Sequence, residues 1–207
     1  MYERFIKRLL DVLFSTMGMI FFAWLFLILA IIIVIDDPGP VFFSQKRVGK
    51  GKTFFQLHKF RSMKTTAPVN MPTHMFSDAD QYITRVGKVL RKYSLDELPQ
   101  IWDIFIGKMS IIGPRPALWN QTDLVTERDK YGANDVLPGL TGWAQINGRD
   151  ELIIPVKAKL DGDYVTVLKR GGLEAFLFDL RCFLNTIFSV LKGSGVVEGG
   201  TGRVTKM

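Results

Sequence analysis

From Val12 to Ile35 the chain carries no charged residue and is dominated by Phe, Leu and Ile; charge resumes abruptly at Asp36-Asp37. Those 24 residues predict a helix about 36 Å long, against a bilayer hydrocarbon core of about 30 Å. No polar face interrupts the run, which argues against an ordinary core helix. It is also too long for a cleaved signal peptide and lacks a small-residue cleavage site. Residues 1–37 are therefore expected to form a membrane-inserted helix, ended by Asp36-Asp37-Pro38-Gly39-Pro40. Val41–Gln45 and Thr53–Phe60 then read as strands of a small β-hairpin, with Gly49-Lys50-Gly51 supplying positive φ angles in the loop. Pro68 and Pro72 mark residues 64–80 as a loop. Helical spacing covers Tyr82–Leu90, Glu97–Ile106, Lys157–Leu168 and Leu173–Leu191, whereas Leu137–Gly142 reads as a turn. The tail from Gly193 reads as frayed or folded over a ligand. The expected fold class is α+β, mainly helical, with residues 38–207 forming one cytoplasmic domain. Its later helices, rich in Phe and Leu, either lie at the membrane interface or make the core.

Charge bears on how the first helix meets the membrane. Arg4, Lys7 and Arg8 precede the apolar run, and Lys46, Arg47, Lys50 and Lys52 follow it. Cations on both flanks favour placing both ends in the cytoplasm, hence a re-entrant helix. Such a helix needs a break, and only Ser15 and Gly18 offer one. A simple span remains the other reading. Over all 207 residues the net charge is +7, with 47% hydrophobic residues and a mean hydropathy of +0.15. A basic balance suits nucleic acid, acidic lipid or a polyanionic small substrate. The single Cys182 cannot form an internal disulfide, and two separated histidines, His58 and His74, give no zinc-ligand spacing.

Candidate chemistry centres on Arg91-Lys92-Tyr93-Ser94-Leu95-Asp96-Glu97-Leu98-Pro99-Gln100, which sets adjacent carboxylates among apolar residues just after an arginine. The rigid segment Met109-Ser110-Ile111-Ile112-Gly113-Pro114-Arg115-Pro116 follows with one cation. Carboxylates beside arginines suit a metal-assisted site for a phosphorylated substrate; a helix-start charge pair followed by a turn explains the same residues. Lys59 and Arg61 share one face of an extended strand, as a phosphate cradle or as a protected sheet edge. Gln145, Asn147 and Arg149, among the glycines of Leu140–Arg149, offer hydrogen bonds to a polar ligand.

These segments, in this order behind a hydrophobic run, resemble the bacterial sugar transferase family, the monotopic phosphoglycosyl transferases, in its small form. The likeness rests on Pro38–Phe43 with Gln45 and Arg47, Lys59–Met63, Leu95–Gln100, Met109–Pro116, Pro138–Gly142 and Gln145–Arg149, and covers almost the whole chain. It implies a bacterial inner-membrane enzyme, active on the cytoplasmic face, that moves a phosphosugar from a UDP-type nucleotide sugar to polyprenyl (undecaprenyl) phosphate. It further implies that Asp96 is the nucleophile, giving a covalent phosphosugar aspartate, and that Glu97 serves an essential Mg2+. Asp161, beside Tyr164-Val165, is placed by the resemblance as a second metal or site residue; a helix-surface acid is the plain alternative. Lys59, Arg61, Arg91 and Arg115 are the expected phosphate contacts, and Gln145, Asn147 and Arg149 the expected nucleotide or sugar contacts. Expected partners are the donor, the polyprenyl phosphate, membrane lipid and, as an open option, a second copy of the chain. Nucleic acid is not expected.

Three positions depart from the family pattern. Ala23-Trp24 stands where a Ser-Pro break is usual, Leu137 where an arginine is common, and Lys108 where an acid often precedes Met-Ser. The competing reading is a non-catalytic scaffold of a glycan-assembly complex, which would have no need of the nucleophile.

Overall fold

A computed structural model describes residues 2–67, 81–148 and 151–192. A single π-helical turn, Tyr2–Ile6, runs into α1 (Lys7–Asp36) without a break at Ser15, Gly18 or Ala23-Trp24. The helical stretch Tyr2–Asp36 reaches a mean hydropathy of 3.1 in its most apolar window, of which only 11% is buried, so it is not a core helix. Its outer face exposes Phe5, Leu9, Leu13, Met17, Phe21, Trp24, Ile28 and Ile35. Its inner face carries Lys7, Asp11 and Ser15, buried at four-residue spacing, and further along Leu29 and Ile33, again four apart.

That inner stripe docks the whole helix on one body. Lys7 and the Tyr2 hydroxyl both donate to Asp179, at 2.8 and 2.7 Å, while Arg8 donates to the carbonyls of Ile104 and Phe105 at 2.6 and 2.7 Å. Asp11 accepts from the Ser110 hydroxyl and the Ile111 amide at 3.1 and 2.9 Å. At the other end Leu29 and Ile33 pack with Phe60 and Leu90. Lys7 and Arg8, counted from sequence as flanking cations that set topology, are thus committed to the protein.

The hairpin pairs β1 (Phe42–Val48) with β2 (Phe54–Phe60) antiparallel, so β1 runs further than expected. The loop takes its positive φ at Gly51 and Lys52 (63° and 59°) rather than at Gly49. Phe55 and Leu57 pack against Ile104 and Met109. α2 (Arg85–Lys92) starts at Thr84, whose hydroxyl accepts from the Gly87 amide at 2.9 Å. Gly87 permits the close approach of β2's continuation: a Cβ there would lie 2.0 Å from the Ser62 carbonyl oxygen.

The helix expected over Glu97–Ile106 divides into a 3-10 turn, Leu95–Glu97, and α3 (Gln100–Phe105). Pro99 has no N–H to continue the ladder and sits at the start of α3 instead. Beyond it lie β3 (Ser110–Ile112), α4 (Thr122–Asp129), β4 (Gly139–Thr141), α5 (Trp143–Ile146), α6 (Ile154–Arg170) and α7 (Gly172–Lys192). The expected turn at Leu137–Gly142 contains β4, which pairs parallel with β3, Ser110 opposite Gly139 and Ile112 opposite Thr141. Tyr2, Tyr164, Val165, Leu168, Ala175 and Cys182 form part of the largest core cluster, between the Tyr2–Ile6 turn, α6 and α7. The outer face of α7 leaves Leu173, Leu177, Leu184 and Phe188 exposed, a second apolar surface beside α1's.

Candidate active site

α2 ends where Ser94 adopts a left-handed conformation (φ 54°), a place usually given to glycine. This reversal turns the chain into the Leu95–Glu97 turn and carries both carboxylates beneath the end of β2. Asp96 and Glu97 are only 6% and 8% exposed. Buried carboxylates survive by pairing, and here three elements converge to pair them. Lys59, near the end of β2, places its ammonium 2.8 Å from Glu97 Oε1 and 3.7 Å from Asp96 Oδ2. Arg115 holds Glu97 Oε1 at 2.6 Å. Arg91, in the last turn of α2, adds a third positive charge acting on Asp96.

Arg115 arrives through a tightly specified junction. Gly113, Gly139 and Gly142 let the loop after β3 press against β4: a Cβ on Gly139 would lie 2.1 Å from the Gly113 amide nitrogen, and one on Gly142 2.2 Å from the Gly113 carbonyl oxygen. Arg47 on β1 donates to the Pro116 carbonyl at 3.0 Å, and the Val48 amide to Ala117 at 2.9 Å. The hairpin, the Gly113–Pro116 loop and the carboxylate turn are therefore locked together. Gln100, buried one turn beyond Asp96, keeps its side-chain nitrogen without a hydrogen-bond partner.

Burial is the strongest influence on Asp96 and pushes its carboxyl above the usual range. Lys59 pulls it down, Glu97 pushes it up, and Arg91 and Arg115 pull it down. The arrangement sets three cations about a buried carboxylate pair, with Lys59 and Arg115 bonded to Glu97 and Asp96 left with the longer 3.7 Å contact to Lys59.

A profile of the bacterial sugar transferases matches residues 2–193. The chain belongs to the bacterial sugar transferase family. It is 36% identical over 197 residues to the UDP-N-acetylgalactosamine-undecaprenyl-phosphate N-acetylgalactosaminephosphotransferase of Aeromonas hydrophila, covering 92% of this chain and 45% of that protein. It is 34% identical over 200 residues to the uncharacterized sugar transferase EpsL of Bacillus subtilis, covering 97% of this chain and 93% of that one. The UDP-glucose:undecaprenyl-phosphate glucose-1-phosphate transferase of Escherichia coli is 36% identical over 154 residues, 70% of this chain and 32% of that protein. The chain thus spans less than half of the first and third relatives and nearly all of the second.

Of the sequence-predicted residues, the structure gathers Lys59, Arg91, Asp96, Glu97 and Arg115 and separates others. Arg61 does not join Lys59: it lies just past β2 and ion-pairs with Asp37 at the end of α1. Asp161 is neither beside the carboxylate pair nor on a helix surface. It is 1% exposed on α6 and held by Arg128 of α4, with Nη2 at 2.6 Å and Nε at 2.8 Å. Gln145 donates weakly, at 3.4 Å, to the Gly113 carbonyl at the glycine junction, whereas Asn147 donates to the Trp143 carbonyl of its own helix at 2.7 Å. Arg149 lies outside the described residues, as do most of the loop expected over 64–80 and the tail.

Sequence reasoning missed one pair next to the cluster. Asp103, on α3 and fully buried, accepts from the His58 amide at 2.9 Å with one oxygen and faces the His58 ring nitrogen Nδ1 at 2.7 Å with the other. An acid inside the apolar stretch Ile101–Ile106 was the available signal, since such a carboxylate needs a partner.

Proposed function

We propose that the protein transfers a phosphosugar from a UDP-sugar to undecaprenyl phosphate, giving undecaprenyl-diphosphate-sugar and UMP, as a first membrane step of surface glycan assembly. The observation that carries this reading is a buried carboxylate, Asp96, ringed by Lys59, Arg91 and Arg115 in a family whose named relatives act on undecaprenyl phosphate.

In the first half-reaction an Asp96 oxygen attacks the phosphorus that bears the sugar. The O–P bond forms as the bond to the UMP phosphate breaks, and the electron pair leaves with UMP. In the second, an oxygen of the lipid phosphate attacks the same phosphorus and the aspartyl O–P bond breaks, restoring Asp96. A covalent intermediate lets a soluble and a lipid substrate react in turn. Lys59, Arg91 and Arg115 hold phosphate oxygens, and the Gln100 amide is available as a further donor. Glu97 keeps Lys59 and Arg115 in place before the donor binds. Mg2+ takes one or two carboxylates together with substrate phosphates, and the adjacent Asp96 and Glu97 fit that habit; among the described residues no cluster of three His, Cys, Asp or Glu offers a richer cage. When bound, the ion would neutralise diphosphate charge.

The outward apolar faces of α1 and α7 support membrane association. Both ends of α1 are fastened to one body, by Asp179 and by Arg61, while the helix runs unbroken between them, without the interruption that a re-entrant path requires.

The test is UMP release from a panel of UDP-sugars with undecaprenyl phosphate and Mg2+, with Asp96→Asn alongside. Release by the wild type alone supports the reading. Equal release by Asp96→Asn removes Asp96 as the nucleophile, and none by the wild type on any donor favours the scaffold.

A further inference from the structure

Lys59 reaches the carboxylate turn from β2, and the adjacent His58 bonds to Asp103 of α3. We propose that His58 and Asp103 are a positioning pair that locks β2 onto α3, so that Lys59 stays seated between Asp96 and Glu97; the catalytic consequence rests on the function proposed above. Asp103 holds two groups of His58 at once, the backbone amide at 2.9 Å and the ring at 2.7 Å, from a site with no solvent exposure. The Asp103 carbonyl also receives the amides of Lys108 and Met109, at 2.9 and 3.1 Å, so the same residue anchors the approach to β3 and Arg115. One residue, through its side chain toward β2 and its backbone toward β3, thereby ties together the elements that deliver Lys59, Asp96, Glu97 and Arg115.

The pair has a chemical signature. A carboxylate accepts a proton bond from Nδ1 whether the imidazole is neutral or cationic. Asparagine at 103 keeps the bond to the His58 amide, but turns its NH2 toward the ring. Nδ1 must then be an acceptor, which only the neutral imidazole provides. Few other groups face His58. Ser44 lies opposite on β1, Lys46 lies diagonally with its ammonium over the Phe54 ring at 4.3 Å, and Lys59 follows on β2 committed to Glu97. Arg8 of α1 is occupied by the Ile104 and Phe105 carbonyls.

The experiment follows kcat and KM for UMP release from pH 5.5 to 8, alongside hydrogen exchange of the β2 segment corrected for intrinsic rates. Asp103→Asn should match the wild type at pH 8. It should lose about tenfold in kcat relative to it at pH 5.5 with KM little changed, the scale of one lost charge-assisted bond. β2 exchange should quicken over the same interval. In His58→Asn/Asp103→Asn, which has no imidazole, the acid loss should vanish. Wild-type-like behaviour of Asp103→Asn at every pH, or an acid loss that persists in the double variant, overturns the proposal. Should Asp103→Asn not fold, His58→Phe serves: about tenfold lower kcat and faster β2 exchange are expected, and wild-type values of both overturn the pair. A wild type inactive on all donors sinks the proposed reaction, while the exchange measurement still decides whether the pair locks β2.

Discussion

Replacing Arg128 by Ala separates two roles for Asp161. The Asp161 carboxylate is 1% exposed and receives two guanidinium nitrogens at 2.6 and 2.8 Å. Burial pushes its carboxyl above the usual range, opposed chiefly by Arg128 and then by Lys157. Deleting one member of such a pair strands the other, at a cost of about 3–5 kcal/mol. For a domain of this size each kcal/mol moves Tm by about 2–4 °C, so Arg128→Ala should melt about 6–20 °C lower. Asp161→Asn, which strands the guanidinium, should fall comparably. Arg128→Met/Asp161→Leu removes both charges and keeps volume; its stability should lie within about 2 kcal/mol of the wild type. Thermal unfolding in detergent, followed by circular dichroism, reads all three, and UMP release is measured on each. A double variant that is stable but has lost activity or changed its Mg2+ requirement would refute the structural assignment and return Asp161 to the reaction site.

Three further outcomes are expected. Lys59→Met removes the strongest influence holding the Asp96 carboxyl down. Because the proposed attack by Asp96 needs the ionised carboxylate, the acid limb of the pH–rate profile should move to higher pH; a limb that stays or moves to lower pH contradicts the assignment. Glu97→Gln should raise the Mg2+ concentration needed for half-maximal activity, whereas an unchanged titration removes Glu97 from the metal's surroundings. Gly87→Ala forces a methyl to within 2.0 Å of the Ser62 carbonyl oxygen. It should lower stability by about 1–3 kcal/mol, read as a fall in Tm; an unshifted Tm means that α2 and the strand end can move apart.

Legibility of the chain followed the range of the interactions involved. The apolar run, the hairpin and the helices α6 and α7 are written in local periodicity and turn residues, and they stand near their expected places. β3 and β4 were hidden because a three-residue strand has no period to detect and its pairing is set by glycines 26 residues apart, Gly113 and Gly139. The motif residues Asp96, Glu97, Lys59, Arg91 and Arg115 were legible as chemistry, and the fold does gather them. Their neighbours were not: Lys59 and Arg61 have the same strand parity, yet β2 ends between them, and the chain hands Arg61 to Asp37. Parity identifies a face only as far as the strand extends.

The polar residues of α1 carry the remaining argument. Lys7, Arg8 and Asp11 lie just before the uncharged run; from sequence the two cations bear only on membrane topology, and Asp11 has no assigned part. In the structure they tie α1 to α7, α3 and β3 respectively. α3 begins right after the carboxylate turn, and β3 leads into the loop that delivers Arg115. A helix fastened in this way would, once inserted in a bilayer, set the depth at which the cluster sits, because it cannot shift along the bilayer normal without dragging α3 and β3 with it. In the reaction proposed above, a lipid phosphate held at the interface and a nucleotide sugar arriving from water meet the same carboxylate in turn, which requires that depth to be fixed. The polar stripe on an otherwise apolar helix is thus the link between membrane attachment and the geometry around Asp96.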